Sequence, residues 1–374
     1  ILTRSLQEAG VPFEEAYALA TAVRDELKDV AEIEAAELRT LVGGRLDAYE
    51  PEVRVRYLER RIGPPRILVS GEFGEEVWPF SRGRLRDQMA RCGLTPTEAT
   101  HVAEAIHAVL GRRGIRRIEH IDLARLIHDH LREHLGPEPA HRFLVWEEYR
   151  RSDRPLLILL GGMAGTGKST VAAGLAGRFD IVRTQSTDML REVMRAMTPP
   201  RLTPVLHTSS FLAWEELPGV GREPDEDDAA LIEGYLSQTE LLDLACESVL
   251  GRAIKEHVSL ILEGVHVHPG VKGRLPQDTD AIVVEMVLGV LRPKDLKQRI
   301  RGRSKEAPGR RARRYLSHFE AIWKLQSFLL TEADRLQVPI VANADLERTM
   351  QEATEVVMSS LGRHVSGKPK AVFG

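Results

Sequence analysis

The sequence contains few cysteines, no long hydrophobic run and almost no net charge. Its 374 residues include only Cys92 and Cys246, which lie far apart without a histidine pattern, so neither a disulfide framework nor zinc is indicated. No apolar run approaches about 18 residues and no stretch resembles a signal peptide, so we expect a cytoplasmic protein without membrane contacts. The net charge of −3 makes nucleic acid an unexpected partner.

A glycine-rich stretch, GGMAGTGKST at residues 161–170, follows the aliphatic run LLILL. It fits G-x-x-x-x-G-K-[ST], a phosphate-binding loop, and the flanking residues have strand and helix patterns, which argues against a chance match. Lys168 is expected to reach the β- and γ-phosphates of ATP, and the Ser169 hydroxyl to bind Mg²⁺. The predicted nucleotide-binding residues are Gly162, Met163, Ala164, Gly165, Thr166, Gly167, Lys168, Ser169 and Thr170.

From about Arg154 onward, strand-like and helical runs alternate. This alternation predicts an α/β fold, a parallel sheet with helices on both faces, in which ligands lie beyond the carboxyl ends of the strands. The predicted strands are Leu156–Leu160, Ile181–Thr184, Val258–Leu262, Ala281–Leu288 and Val338–Ala342.

An internal repeat precedes this region. Residues 5–23 align with 88–106, residues 37–46 with 122–131, and Arg56–Leu58 with Arg142–Leu144. Each copy is predicted to hold three or four helices. Two strand-like runs around Glu72–Gly74 predict a β-hairpin before the second copy. The first copy lacks this hairpin and residue 1 is isoleucine, so we expect the sequence to begin inside a longer gene product.

The two copies resemble ATP-cone domains, which are small nucleotide-binding regulatory modules. The hairpin, the segment PFSRGRL at residues 79–85 and the helices after it carry this resemblance. We predict an incomplete cone-like repeat over residues 1–65, a second one over 66–150, and a kinase domain over 151–374 on which both dock from outside. Whether these units bind nucleotide or serve only for docking stays open, because fold does not fix function.

Polar residues follow the second predicted strand, where Asp188 begins a helix with Thr187 as a plausible cap. Asp188 is a candidate for accepting the proton of an acceptor hydroxyl or orienting it, although acids are also common at helix starts. Arg191 and Arg195 are four residues apart on one helical face. They could bind a phosphate or carboxylate, or could form an ordinary solvated face.

Glu263 directly follows the third predicted strand, where it could assist Mg²⁺ or polarise the nucleophile, and His266 and His268 come next. A transition-metal site is the lesser alternative, because a third ligand is not evident. Histidines that contact an anionic substrate are favoured. In the insertion over residues 202–257, His207 belongs to a polar cluster that could also face the substrate.

Seven arginines lie from Arg299 to Arg314, without interleaved aromatic residues. A basic stripe can simply solvate a helix or contact nucleic acid. Its position after the fourth strand favours a mobile lid over about residues 292–331, whose arginines stabilise charge during phosphoryl transfer. The lid candidates are Arg299, Arg303, Arg310 and Arg311.

Several stretches together resemble 2-phosphoglycerate kinase: RRSDRPLLILLGGMAGTGKST, STDMLREVMR, LHTSSFLAWEEL, AIKEHVSLILEGVHVHPG and the arginine-rich lid. The resemblance covers about residues 84–344 and implies transfer of the γ-phosphate of ATP to the 3-hydroxyl of 2-phosphoglycerate, with Mg²⁺. The second cone-like copy departs from this family's pattern. Two alternatives remain: a kinase for another small hydroxylated acid or sugar, and a non-catalytic ATP-sensing regulator. A homo-oligomer is left open.

Overall fold

A computed structural model describes residues 2–28, 30, 33–46, 49, 51–59, 67–71, 76–217, 228–276, 278–302 and 309–374. The chain divides into two compact units, residues 1–68 and 69–374. The first unit contains four helices around a core that includes Leu6, Val42 and Leu46. These helices are α1 (Leu2–Glu8), α2 (Phe13–Glu26), α3 (Ala35–Arg45) and α4 (Pro51–Glu59).

The second unit opens with a small three-stranded sheet and four helices. The strands are β1 (Leu68–Ser70), β2 (Val77–Pro79) and β3 (Arg117–Glu119), and the helices are α5 (Arg82–Arg91), α6 (Pro96–Arg112), α7 (His120–His134) and α8 (Pro137–Arg150). The sheet order is β2-β1-β3, so the two runs predicted as a hairpin are hydrogen-bonded neighbours. Residues 72–75 between them lie outside the described residues.

The internal repeat is visible in the helices. Each copy has four of them, and the aligned Gly10 and Gly93 both follow the first helix with positive φ angles of 108° and 80°. A left-handed turn of this kind favours glycine. Aligned positions are also buried in both copies: Leu6 and Met89, Ala16 and Ala99, Val23 and Ile106, Val42 and Ile127, Leu46 and Leu131, Tyr57 and Phe143.

The rest of the second unit is a five-stranded parallel sheet with the order β5-β6-β4-β7-β8. Its strands are β4 (Leu156–Gly161), β5 (Arg183–Ser186), β6 (Leu260–Gly264), β7 (Ile282–Gly289) and β8 (Ile340–Ala342). All five begin and end within about two residues of the predicted bounds, and the predicted α/β fold is confirmed. Leu157 and Leu159 pack in a cluster with the following helix layer, and the intervening Ile158 and Leu160 are also buried, so both faces are covered.

Eight helices accompany this sheet in the described part of the chain. They are α9 (Lys168–Phe179), α10 (Thr187–Met197), α11 (Ala229–Lys255), α12 (Pro293–Gly302), α13 (Gly309–Ser317), α14 (Phe319–Arg335), α15 (Leu346–Gly362) and α16 (Pro369–Phe373). Of the range predicted as a lid, α14 buries Ile322, Leu325 and Leu329 in the core, so its first half is an integral layer of the fold.

The second repeat packs tightly against the kinase sheet. The Arg91 side chain donates to the Arg178 carbonyl and pairs with Asp180, at the end of α9. Trp146 packs on Phe179 at a ring-centroid distance of 5.7 Å. The Glu148 carboxylate accepts hydrogen bonds from Ser366 and Gly367. Residues 69–150 therefore share one compact unit with the kinase part, and a domain boundary at residue 150 stays a prediction.

Candidate active site

The phosphate loop is held in shape by contacts that need glycine. Gly162, Gly165 and Gly167 have φ angles of 142°, 89° and 92°, which side-chain-bearing residues rarely adopt. A Cβ on Gly162 would lie 2.4 Å from the Leu288 carbonyl oxygen of β7. The loop leads directly into α9, so its backbone N–H groups and the helix amino terminus form an anion-binding concavity.

The loop lysine and serine face the end of β6. The Lys168 ammonium is largely buried and donates to the Met163 carbonyl at 3.1 Å. The Ser169 hydroxyl donates to the Glu263 carboxylate at 2.9 Å. Strand register pairs Leu160 with Glu263 and Ser186 with Glu263, which places the three strand ends side by side. The predicted loop and acid are therefore adjacent.

Asn343, just past β8, is a loop contact that the sequence reading missed. Its side-chain amide donates to the Thr166 carbonyl at 2.7 Å, and its backbone N–H donates to the Gly289 carbonyl at 2.8 Å. The Thr349 hydroxyl donates to its side-chain oxygen at 3.2 Å. This buried asparagine ties the phosphate loop to β7 and α15. The available signal was its place at a carboxyl strand end.

Asp188 lies in the first turn of α10, two residues beyond the end of β5. Its side chain is exposed and has no hydrogen bond or ion pair among the residues that the structure describes. The cap of α10 is Ser186, which accepts from the Met189 N–H at 3.1 Å. The expectation that Thr187 caps this helix is wrong, because its side chain turns into the core instead.

Arg191 and Arg195 lie on one face of α10, as predicted from their spacing. Arg191 donates to the Thr208 carbonyl at 2.7 Å, and Arg195 pairs with Glu192 at 2.7 Å. In the described part of the chain, the buried Nε atoms of both arginines find no hydrogen-bond acceptor. A buried N–H without an acceptor is costly, so this face is suited to an anionic ligand.

The two predicted histidines of the β6 loop belong to different clusters. His266 is fully buried, and both of its ring nitrogens are hydrogen-bonded, one to Thr187 and one to Gln238. Burial, with the charges of Arg191 and Lys168, lowers its pKa to about 3, so its ring is neutral. His268 lies instead beside Asp243, which also pairs with Arg274 at 2.8 Å. The hydrogen bond to Asp243 raises the pKa of His268.

His207 ends a short 3-10 turn over Pro204–His207, and its Nε2 lies 3.1 Å from the Thr198 carbonyl oxygen after α10. The structure therefore brings His207 and His266 to the α10 side of the site and leaves His268 outside this group. The geometry of the β6 loop explains the difference, because His266 and His268 point to opposite sides of it.

The lid candidates are only partly described. Arg299 on α12 donates to the Ala344 carbonyl at 3.0 Å, and its Nη1 lies 3.7 Å from where a Cβ on Gly167 would stand. This arginine is therefore beside the phosphate loop. Arg303 lies outside the described residues, and for Arg310 and Arg311 only the helical backbone of α13 is described.

Metal and membrane features were also sought in the described residues. Within them, no three His, Cys, Asp or Glu side chains cluster so that they could hold a metal ion, which argues against the transition-metal alternative there. Among the described helices, none combines the length and apolar character that crossing a membrane requires.

Known proteins similar to this chain carry one name. A 2-phosphoglycerate kinase of Pyrococcus horikoshii is 33% identical over 298 residues, which cover 79% of this chain and 96% of that protein. A 2-phosphoglycerate kinase of Pyrococcus furiosus is 35% identical, covering 78% and 93%. One from Methanopyrus kandleri is 32% identical, covering 76% and 85%. No protein-family model matches the chain. With about a third of its residues identical over nearly the whole length of these relatives, the chain belongs to the 2-phosphoglycerate kinase family.

Proposed function

We propose that this chain transfers the γ-phosphate of ATP to the 3-hydroxyl of 2-phosphoglycerate, giving 2,3-bisphosphoglycerate and ADP. One observation carries the proposal beyond family membership. The phosphate loop stands at the same sheet edge as α10, whose Arg191 and Arg195 hold buried Nε donors without acceptors among the described residues. A nucleotide site beside an anion-seeking helix face fits a kinase with an acidic acceptor.

In this proposal the three catalytic residues have separate tasks. Lys168 stabilises negative charge on the β- and γ-phosphates during transfer. Asp188 accepts the proton of the 3-hydroxyl, or orients that hydroxyl toward the γ-phosphate, and its exposed carboxylate supports this role. Glu263 holds the Ser169 hydroxyl at the strand edge.

The acceptor carries a carboxylate and a phosphate, so several cations are needed to bind it. Arg191 and Arg195 supply the first two, with His207 at the end of the same pocket wall. Arg299 and the other lid arginines close over the transferring phosphate. His266 supports the pocket from below as a neutral ring. His268, in its own cluster with Asp243, is proposed to act at most indirectly.

The donor set beside the loop fits Mg²⁺. A hydroxyl from Ser169 and a carboxylate from Glu263, 2.9 Å apart, are hard oxygen ligands of the kind that this ion prefers. When bound, Mg²⁺ neutralises phosphate charge and orders the triphosphate.

ADP release with and without 2-phosphoglycerate tests the function. A kinase for this acceptor shows acceptor-dependent ADP release and a bisphosphorylated product. Turnover with glycerate or a sugar, and none with 2-phosphoglycerate, would establish the alternative kinase. ATP binding without any acceptor-dependent turnover would establish a nucleotide sensor.

A cavity of about 430 Å³ between the small sheet and α5, α7 and α8 supports a second nucleotide site in the cone-like part. Arg84, Arg91 and Arg150 line it together with Trp78 and Phe80, so it offers cations for phosphates and rings for a base. We propose that nucleotide bound there regulates the kinase. Equilibrium binding of ATP or dATP to a Lys168→Ala protein, in which the catalytic loop is weakened, tests it, and absence of any remaining site would leave docking as the role of this part.

A further inference from the structure

Gln238, on α11, lies at the centre of a buried hydrogen-bond chain that joins three separate parts of the acceptor side. Its side chain is fully buried. Its amide nitrogen donates to the Val205 carbonyl and, at 3.2 Å, to the Thr208 carbonyl. Its amide oxygen lies 2.8 Å from His266 Nε2. Since only the NH₂ group can face two carbonyls, the orientation of this amide is determined.

The orientation of Gln238 fixes the proton on His266. The amide oxygen can only accept, so His266 Nε2 carries hydrogen and donates to it. His266 Nδ1 is then an acceptor, and the Thr187 hydroxyl, 3.2 Å away, donates to it. Every member of this chain is buried and each is hydrogen-bonded, which makes a buried polar network rigid.

Thr187 transmits this rigidity to Asp188, the next residue. Thr187 is pressed against the end of β6, where a Cβ on Gly264 would stand 1.8 Å from its hydroxyl oxygen. The first turn of α10 is therefore held directly beside Glu263 and the phosphate loop. Any shift of His266 would move the backbone that carries the Asp188 carboxylate.

A second branch leads from Gln238 to Arg191. The Thr208 carbonyl accepts both from Gln238 and from Arg191 Nη1, the latter at 2.7 Å. This contact aims the Arg191 guanidinium, whose Nε has no acceptor in the described part of the chain, along the α10 face. One buried amide thus supports both the residue proposed at the attacking hydroxyl and the residue proposed at the acceptor's anionic group.

We propose that Gln238 is a positioning residue for the acceptor: through His266 and Thr187 it orients Asp188, and through Thr208 it orients Arg191. This inference rests on the proposed function. It implies that the two branches have different kinetic signatures. The Thr187 branch bears on kcat, because it places the group at the reacting hydroxyl, and the Thr208 branch bears on KM for 2-phosphoglycerate.

Steady-state kinetics of Gln238→Leu and Thr187→Val test the two branches. Gln238→Leu should lower kcat/KM for 2-phosphoglycerate roughly 10- to 100-fold, since misplacement by about 1 Å can cost about 10²-fold. Thr187→Val keeps the side-chain shape, and should lower kcat while leaving KM for 2-phosphoglycerate within about twofold. ATP affinity measured without acceptor should be unchanged in both. The double variant should have the kcat of Gln238→Leu alone, because both changes break one chain.

Gln326→Leu is the matched control. Gln326 is an equally buried glutamine whose amide bonds the Val290 backbone at 3.0 Å in both directions, within the α14 layer and away from α10. It should lower the unfolding temperature by an amount similar to Gln238→Leu without a comparable change in acceptor kinetics. Equal kinetic losses in the two variants, or independent kcat effects of Thr187→Val and Gln238→Leu, would overturn the proposal.

Nitrogen NMR of the His266 ring gives a readout that does not depend on turnover. The wild-type ring should be neutral with hydrogen on Nε2, and Gln238→Leu should remove this preference. A cationic ring, or hydrogen on Nδ1, would refute the hydrogen-bond chain. Wild-type protein without 2-phosphoglycerate-dependent turnover would refute the proposed function, and the NMR result would still decide the chain.

Discussion

Lys168 places one positive charge where the triphosphate must lie, and little else in the described loop can replace it. Lys168→Ala should therefore abolish phosphoryl transfer, with a loss of at least about 10²–10³-fold in kcat. Coupled measurement of ADP release, together with circular dichroism to verify the fold, checks this. Lys370→Ala, at an exposed position, is the matched control and should retain activity. Near-normal turnover of Lys168→Ala would mean that the loop is not catalytic.

Asp188 and Glu263 can be distinguished by which constant changes. Asp188→Asn should preserve ATP affinity and lower kcat by about 10²–10⁴-fold, the usual contribution of a general base. Glu263→Gln alters the partner of the Ser169 hydroxyl and should weaken Mg·ATP binding as well. Separate titrations of ATP and acceptor measure both. If Asp188→Asn changes only the KM for ATP, the general-base role passes to Glu263.

His266 gives the fold a dependence on acid. Its pKa is lowered to about 3 in the folded chain, whereas an unfolded histidine takes up a proton near pH 6.5. Between these values the unfolded state binds more protons, so this residue lowers the free energy of unfolding as pH falls below about 6.5. Wild-type protein should therefore lose up to about 2 kcal/mol more than His266→Asn between pH 7 and pH 4.5. Parallel urea unfolding at both pH values measures the difference, and identical losses would contradict it.

At the scale of elements, α10 is the helix whose face decides acceptor binding. Arg191→Ala or Arg195→Ala should raise KM for 2-phosphoglycerate more than KM for ATP, because each removes a cation with a buried Nε donor. Arg183→Ala, a surface arginine at the start of β5 that pairs with Glu256, is the control. Unchanged acceptor affinity in both α10 variants would return this face to solvent.

The elements were predictable from the sequence because each carries a local signal. Strands such as β4 and β6 are continuous aliphatic runs, and the phosphate loop has a fixed spacing. What could not be predicted depends on side chains that meet from distant parts of the chain. Gln238 is an ordinary polar residue within an apolar helix, and only the fold brings it to His266. The two histidines of the β6 loop look equivalent in sequence, and the direction of each side chain separates them.

At the scale of the whole molecule, the two compact units predict different outcomes for truncation. Deletion of residues 1–68 should leave a folded kinase with near-normal kcat, since the remainder retains its own core. Deletion of residues 1–150 should lower the unfolding temperature strongly, because it strips Trp146 from Phe179 and Glu148 from Ser366. Calorimetry and turnover of both truncations measure this.

Equal stability of the two truncations would mean that the second repeat is a separate module, as the sequence suggested. Composition and spacing indicated a change of character near Arg154, and this is where the kinase sheet begins. They gave no sign of the contacts across that point, because an arginine such as Arg91 looks the same in a solvated helix and at a packed junction.

The aligned buried positions of the two repeats have a consequence for how the copies can change over generations. Arg91, which pairs with Asp180, aligns with Glu8, which pairs with Arg4 in its own helix. The second copy has kept a charge that the kinase requires, while the first carries the opposite charge at that position. Selection on the two copies is therefore unequal: their interiors evolve under one rule and their surfaces under two, and neither copy can substitute for the other.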